Sequence, residues 1–148
     1  MNSDEIDRFL STRLRDFNGV FSVDTLPEDS RLMVCNTDPS NKPGRHWIVI
    51  HVDEDGRGDF FDAFGRQFND YFERYMNRHC LSWNFNDKQL QSVVSKFCGH
   101  YCIYSCILRS SGIDMHKIVR SLGSDTGLYD VLVHAFVCIL YAFVCRRE

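Results

Sequence analysis

The chain alternates between segments with apolar residues three or four apart and segments in which β-branched and aromatic residues crowd together. From Ser3 to about Arg15, Ile6, Phe9, Leu10 and Leu14 recur at helical spacing. This predicts an amphipathic helix with Ser3 or Asp4 as its cap. "DTLPED" breaks the pattern at Pro27. "RLMVCN" then predicts a short strand, and "NTDPSNKPGR", with two prolines and a glycine, predicts a loop. "HWIVIHV" predicts a central strand. The Asp-Gly step in "DEDGRG" is a strong hairpin signal, so "DFFDAF" is the returning partner, ended by Gly65.

Helical spacing returns at residues 67 to 79, where Phe68, Tyr71, Phe72, Tyr75 and Met76 share one side. "LSWNF" reads as a short strand, and "NDKQLQSVVSKF" as a loop leading into a helix that starts at Cys98. "GIDMHKIVRSL" predicts another helix. "SDTGLYDVLVHAFVCILYAFVC" opens with capping residues and continues as a long apolar helix. Its apolar stretch, "VLVHAFVCILYAFVC", falls short of the roughly 20 residues that span a bilayer. A packed C-terminal helix is therefore expected rather than a membrane contact. "AFVC" occurs at 135–138 and again at 142–145; the seven-residue offset keeps both copies near one face, and they are too short to define a repeat.

With 148 residues the chain is the size of one domain, so a single domain over 1–148 is expected, with 139–148 as a C-terminal extension. A net charge of -3 gives no polybasic signal for nucleic acid. The N-terminus, "MNSDEIDRFL", is acidic and lacks the apolar core of a secretion signal, so an intracellular location is expected. Seven cysteines, an odd number without framework spacing, fit free thiols in a reducing compartment. Most should be buried and inert.

Cys98 stands apart by position. The first turn of a helix has free N–H groups and a partial positive charge, which favour a thiolate nucleophile. Gly99 beside it, with no side chain, allows backbone or substrate to approach closely. A thiol nucleophile needs a base, and of six histidines His46 is the best placed, at the strand end directly after a Pro-Gly loop. The base needs an orienting acceptor. The hairpin brings residues near 62 to 65 beside His46, and Asp62, between Phe61 and Phe64, must find a partner in an apolar setting. Asp59 lies nearer the turn and is expected to be solvated. An acyl-transfer oxyanion needs donors. The Cys98 backbone N–H is one, and Gln91 is either a second or an exposed loop glutamine.

"PGRHWIVI", "FFDAFG" and "LQSVVSKFCGHYC", in that order, resemble the His, acidic and Gln…Cys-Gly blocks of adenain-like cysteine proteases. These are the adenovirus maturation protease family, and the likeness is nearest to members from Polinton/Maverick-type transposons and related viruses. It runs from about Leu26 to about Val137. It implies an α+β fold, papain-like or SUMO-protease-like, with a central, mostly antiparallel sheet flanked by helices and the Cys helix buried against the sheet. It implies His46 as general base, Asp62 as its orienter, Cys98 as nucleophile, Gln91 as oxyanion donor and Trp47 as an aromatic lining the substrate groove. Trp47 read on its own fits a plain core residue of the strand as well.

The implied activity is a cysteine endopeptidase without cofactor or metal. Its substrates would be viral or transposon structural polyproteins cut near glycine, in host cytoplasm, nucleus or virion. A monomer without membrane contact is expected. The adenovirus enzyme is stimulated by DNA and by a disulfide-linked viral peptide; no equivalent peptide is specified here, and the negative charge argues against a DNA requirement. Alternatives are a deconjugase of SUMO or another ubiquitin-like protein on the same fold, and an inactive domesticated binding scaffold. A zinc module of Cys98, Cys102, Cys106 and His100 is disfavoured, because ligands at i, i+4 and i+8 spread over about 12 Å of helix.

Overall fold

The computed structural model describes residues 1–66 and 68–145, without the side chains of 144 and 145. Among the described residues ten elements follow one another: α1 (Ser3–Ser11), β1 (Phe17–Ser22), β2 (Leu32–Asn36), β3 (Trp47–Val52), β4 (Arg57–Phe61), α2 (Asp70–His79), β5 (Ser82–Phe85), α3 (Cys98–Ser110), α4 (Met115–Ser121) and α5 (Thr126–Cys145). The strands form one sheet in the order β1-β2-β3-β4-β5. This is the α+β arrangement the sequence predicts. The centre, β2-β3-β4, is antiparallel, with Val34 opposite Val49 and Val49 opposite Phe61. Both edges are parallel, β1 to β2 and β5 to β4.

Side-chain alternation divides the core. Leu32, Val34, Val49 and Phe61 face a layer built from α1, α3, α4 and α5. Met33, Cys35, Ile48, Ile50 and Phe60 face α2, where Phe72 and Met76 pack. Every residue of β2 is buried, as a strand covered on both faces requires. At about 25 cal/mol per Å² of apolar surface, these two layers supply the main favourable term in folding.

Several elements depart from the sequence reading. The cap of α1 is Asn2, whose side chain accepts from the Glu5 N–H while Glu5 reaches back to the Asn2 N–H. The helix ends at Ser11 rather than near Arg15. β1 was not anticipated. α2 starts at Asp70, capped by Asn69; the expected start at residue 67 lies outside the described residues.

α5 departs most. It is 20 residues long and is not the fully packed helix that its composition suggests. Val133 and Val137 are buried against the core, while Leu128, Val131, Leu132, Ile139 and Phe143 are exposed. By length and composition it could cross a membrane, which corrects the expectation that it is too short. Asp130, however, ties it into the domain by buried hydrogen bonds described below. Of the expected extension, Leu140 and Tyr141 pack on the core, and residues 146–148 lie outside the described residues.

Candidate active site

Three loops and one helix terminus meet at one end of the sheet. His46 immediately precedes β3, and its carbonyl accepts from the Thr37 N–H at 3.0 Å, which ties it to the end of β2. Asp62 immediately follows β4. Its turn closes with the Gly65 N–H donating to the Asp62 carbonyl at 2.8 Å. Gly65 sits at φ +61, and a Cβ there would lie 2.6 Å from the Lys88 backbone. Only glycine lets this turn lie flat against residues 87–88.

The hairpin register brings His46 and Asp62 together. His46 Nε2 lies 2.7 Å from Asp62 Oδ1, and the imidazole packs on Phe64 with ring centroids 4.8 Å apart. The same carboxylate oxygen accepts from the Phe64 N–H at 2.8 Å. Asn86, buried, holds the Asp62 backbone: its Oδ1 accepts from the Asp62 N–H at 2.9 Å and its Nδ2 donates to the Asp62 carbonyl at 2.6 Å. Asn86 was not singled out from sequence, since no local signal in "NFNDK" marks it.

Burial acts to lower the His46 pKa, but the hydrogen bond to Asp62 and its charge, together with the nearby Cys98 sulfur, lift it from 6.5 to about 9. His46 thus feels the thiol as well as the carboxylate. Nδ1, the nitrogen turned away from Asp62, is buried and has no hydrogen-bond partner among the described residues. In a ring that donates Nε2–H to Asp62, the proton that His46 gains and gives up is the one on Nδ1. That tautomer is inferred from the carboxylate, an obligate acceptor.

Cys98 opens α3, and its N-cap is Phe97, which makes no side-chain cap hydrogen bond. α1, α2 and α4 are each capped by an Asn or Asp side chain. The first-turn N–H groups of α3 are therefore not satisfied by a cap and face the site as donors. Cys98 is 5% exposed. Cys102 and Cys106, deeper in the helix, are completely buried, and burial pushes both thiols up. Cys35 is buried and raised in the same way, whereas Cys138 is exposed.

Gln91 is completely buried and so is not an exposed loop residue. Its Nε2 donates to the Ser95 carbonyl at 3.1 Å and to Ser95 Oγ at 2.9 Å, and its Oε1 has no partner among the described residues. The Leu90 and Gln91 N–H groups both donate to the Ala63 carbonyl, at 2.8 and 2.9 Å. The Gln91 loop is thus stitched to the turn that carries Asp62.

On the side where a Cβ of Gly99 would project lie Ile6 Cδ1 at 3.1 Å and Met1 Sδ at 3.4 Å, so its smallness serves the packing of the N-terminal segment on α3. Trp47 is half-buried against the α3-side core, and its indole N–H donates to Ser3 Oγ at 3.2 Å. Asp59, expected to be solvated, is instead a half-buried partner of Arg109, with Nε 3.0 Å from Oδ2, and it lies near His51 rather than His46. A cleft of about 190 Å³, walled in part by Thr37, Arg66 and Phe68, opens beside His46 and Asp62. A larger cavity, about 530 Å³, lies between α1, Tyr141 and His100, away from the His46–Asp62 pair.

No family model matches the chain, and no curated protein matches it. Solved structures do. One structure of the ASFV pS273R protease aligns with a TM-score of 0.64 and 16% identity over 90% of this chain and 66% of that one. A second aligns at 0.52 and 21% over 74% of this chain and 46% of that one. The chain thus spans less than two thirds of the pS273R chains it matches. The central domain of the uncharacterized Lpg1148 protein from Legionella pneumophila aligns at 0.54 and 10% identity, covering 96% of this chain and 98% of that one. SUMO protease Ulp1, in a structure with its catalytic cysteine oxidized to a sulfinic acid, aligns at 0.47 and 11% over 95% of this chain and 78% of that one. At these identities the likeness is one of fold: this chain shares its architecture with the pS273R protease.

Proposed function

We propose that the chain is a cysteine endopeptidase in which Cys98 is the nucleophile, His46 the base and Asp62 the orienting carboxylate. The observation that carries this reading is the His46–Asp62 hydrogen bond of 2.7 Å on an imidazole that also senses the Cys98 thiol. The protease fold of the pS273R neighbour supports it.

In the proposed reaction the thiol proton rests on His46 Nδ1, so that Cys98 and His46 form a thiolate–imidazolium pair, and the sulfur attacks the scissile carbonyl carbon. Nε2–H, held by Asp62, stabilises the imidazolium by a charge-assisted hydrogen bond. The carbonyl oxygen becomes an oxyanion facing the Cys98 N–H and Gln91. Gln91 has two amide hydrogens. One stays on the Ser95 carbonyl, and the other exchanges Ser95 Oγ for the oxyanion. Collapse breaks the C–N bond, and the departing amine takes its proton from His46. Water then attacks the thioester carbonyl, giving a proton to Nδ1. The sulfur leaves as the thiolate, restoring its pair with the His46 imidazolium, and the acid product departs.

The resemblance to adenain-like enzymes supports a cut beside glycine. Trp47 supports this, because its indole, adjacent to the base and fixed by Ser3, makes a flat wall that admits backbone more readily than a branched side chain. The substrate class is then a Gly-containing structural polyprotein of a virus or transposon. The test is a library of extended peptides and a panel of ubiquitin-like conjugates, each offered to wild-type protein and to Cys98→Ala. Cleavage at Gly sites in extended peptides, absent in Cys98→Ala, supports the endopeptidase. Cleavage of folded conjugates alone identifies a deconjugase. No thiol-dependent cleavage of either overturns the enzymatic reading.

A further inference from the structure

α5 carries one Asp, Glu, Lys or Arg along its whole length, Asp130, and that residue is buried. A carboxylate inside an otherwise apolar helix contact is costly unless its oxygens are filled. Asp130 meets that requirement through two donors. The Ser92 N–H lies 3.3 Å from both oxygens. The hydroxyl of Tyr101, a completely buried residue in the first turn of α3, lies 3.0 Å from Oδ1. The same hydroxyl lies 3.0 Å from the Leu90 carbonyl. Its single proton is shared between the two acceptors.

Leu90 and Ser92 are the two neighbours of Gln91 in the chain. The backbone around Gln91 is therefore gripped on one side by the Ala63 carbonyl, which belongs to the Asp62 turn, and on the other by Asp130 of α5 through Ser92. Tyr101 joins that grip to the helix that Cys98 opens, three residues earlier. Nucleophile, orienting carboxylate and glutamine are thus referenced to one another through main-chain contacts that Asp130 completes.

We infer that Asp130, acting with Tyr101, is a positioning residue for the oxyanion site, holding Gln91 at its working distance from Cys98. This rests on the cysteine-protease reading above and extends its machinery to a helix that none of the His, Asp and Cys segments contains. The Tyr101 hydroxyl is pushed up by burial and by Asp130, so it stays a donor throughout the working pH range.

The test compares Asp130→Asn, Asp130→Ala and Tyr101→Phe with Gln91→Ala and with the Asp130→Ala/Gln91→Ala pair. Four quantities are read: kcat and KM on a Gly-containing peptide, the inhibition constant of a peptide aldehyde, and the rate of Cys98 alkylation by iodoacetamide. The sulfur adds to the aldehyde carbonyl while the thiol's proton stays on His46: a C–S bond forms, the C=O π bond opens, and the resulting oxyanion needs the same donors as that of the reaction. Alkylation needs none.

Asp130→Ala is expected to lower kcat about 10²-fold, the scale of an ångström of misplacement. Aldehyde affinity falls in parallel, while KM and the alkylation rate hold. Asp130→Asn, which keeps the shape and one acceptor, falls between. In the Gln91→Ala background, Asp130→Ala costs little more, because it acts through the residue already removed. Additive losses, or alkylation falling with kcat in the near-isosteric Asp130→Asn, overturn the inference. Wild-type kcat in Asp130→Ala overturns it too. Failure of the underlying reading looks different: wild-type protein then neither cleaves peptide nor reacts selectively at Cys98.

Discussion

Asp62→Asn removes a charge from the site while keeping its shape. The amide oxygen can still accept one hydrogen bond, but the imidazolium loses its counter-ion 2.7 Å away. Both side chains are sheltered, at 12% and 7% exposed, so solvent screens the pair weakly. His46 is pushed up from 6.5 to about 9, against a burial effect that alone would lower it. A group raised in the folded state stabilises the fold fully below its unfolded pKa and loses that contribution as pH climbs through the folded one. The difference corresponds to about 3 kcal/mol below pH 6, about 2 kcal/mol at pH 7.5 and almost nothing at pH 9.5. The hydrogen bond to Asp62 is the largest raising influence, ahead of Cys98. In Asp62→Asn the His46 Cε1–H resonance should therefore titrate well below its wild-type midpoint. Urea unfolding should show the wild-type advantage shrinking between pH 7 and 9.5. Turnover at neutral pH should drop about 10²-fold, at the lower end of what positioned acid–base groups contribute. A variant whose His46 still titrates near 9, or whose stability deficit is the same at every pH, would refute the assignment of Asp62 as the partner that holds the imidazolium.

Three further outcomes follow from the same geometry. Gln91→Ala should lower kcat by roughly 10²–10³ with little change in KM, since the donor acts on charge that develops in the transition state; a loss confined to KM would make Gln91 a binding residue. Gly65→Ala should cost about 1–3 kcal/mol by thermal melting, because φ +61 is strained for alanine. Its Cβ would also press the Lys88 backbone at 2.6 Å and shift Asp62, so activity should fall further than the stability loss explains. Trp47→Ala should relax a Gly preference in a peptide library; an unchanged profile would leave Trp47 as a core residue anchored by Ser3.

The parts of this site that could be read from the chain are those fixed by local pattern. "HWIVIHV", the Asp-Gly turn and "DFFDAF" define a hairpin, and its register alone brings Asp62, not Asp59, to His46. Cys98 could be read because a polar loop gives way there to an apolar helix. What stayed hidden depends on contacts distant in sequence. β1 contains Gly19 at φ +136 in an irregular pairing, which breaks the alternation that marks a strand. The parallel edges depend on which strand pairs with which, and that is settled by packing. Asn86, Tyr101 and Asp130 reach the site from 24, 11 and 38 residues away from the groups they bind. The packing role of Gly99 is hidden for the same reason, since the atoms beside it come from the N-terminal segment. The apolar composition of α5 suggested burial, yet one face packs and the opposite face is open.

Labelling with an electrophilic peptide that ends in glycine, followed by intact mass and peptide mapping, tests the central claim most directly. At neutral pH the account predicts one label per chain, on Cys98. Cys35, Cys102 and Cys106 should be untouched until unfolding, because they are buried and their thiols are raised. Cys138, although exposed, should react no faster than a free thiol, and Cys98 labelling should collapse in His46→Ala. A label that settles first on Cys138, or Cys98 labelling at an undiminished rate in folded His46→Ala, would contradict the assignment of a His46-activated nucleophile at the start of α3.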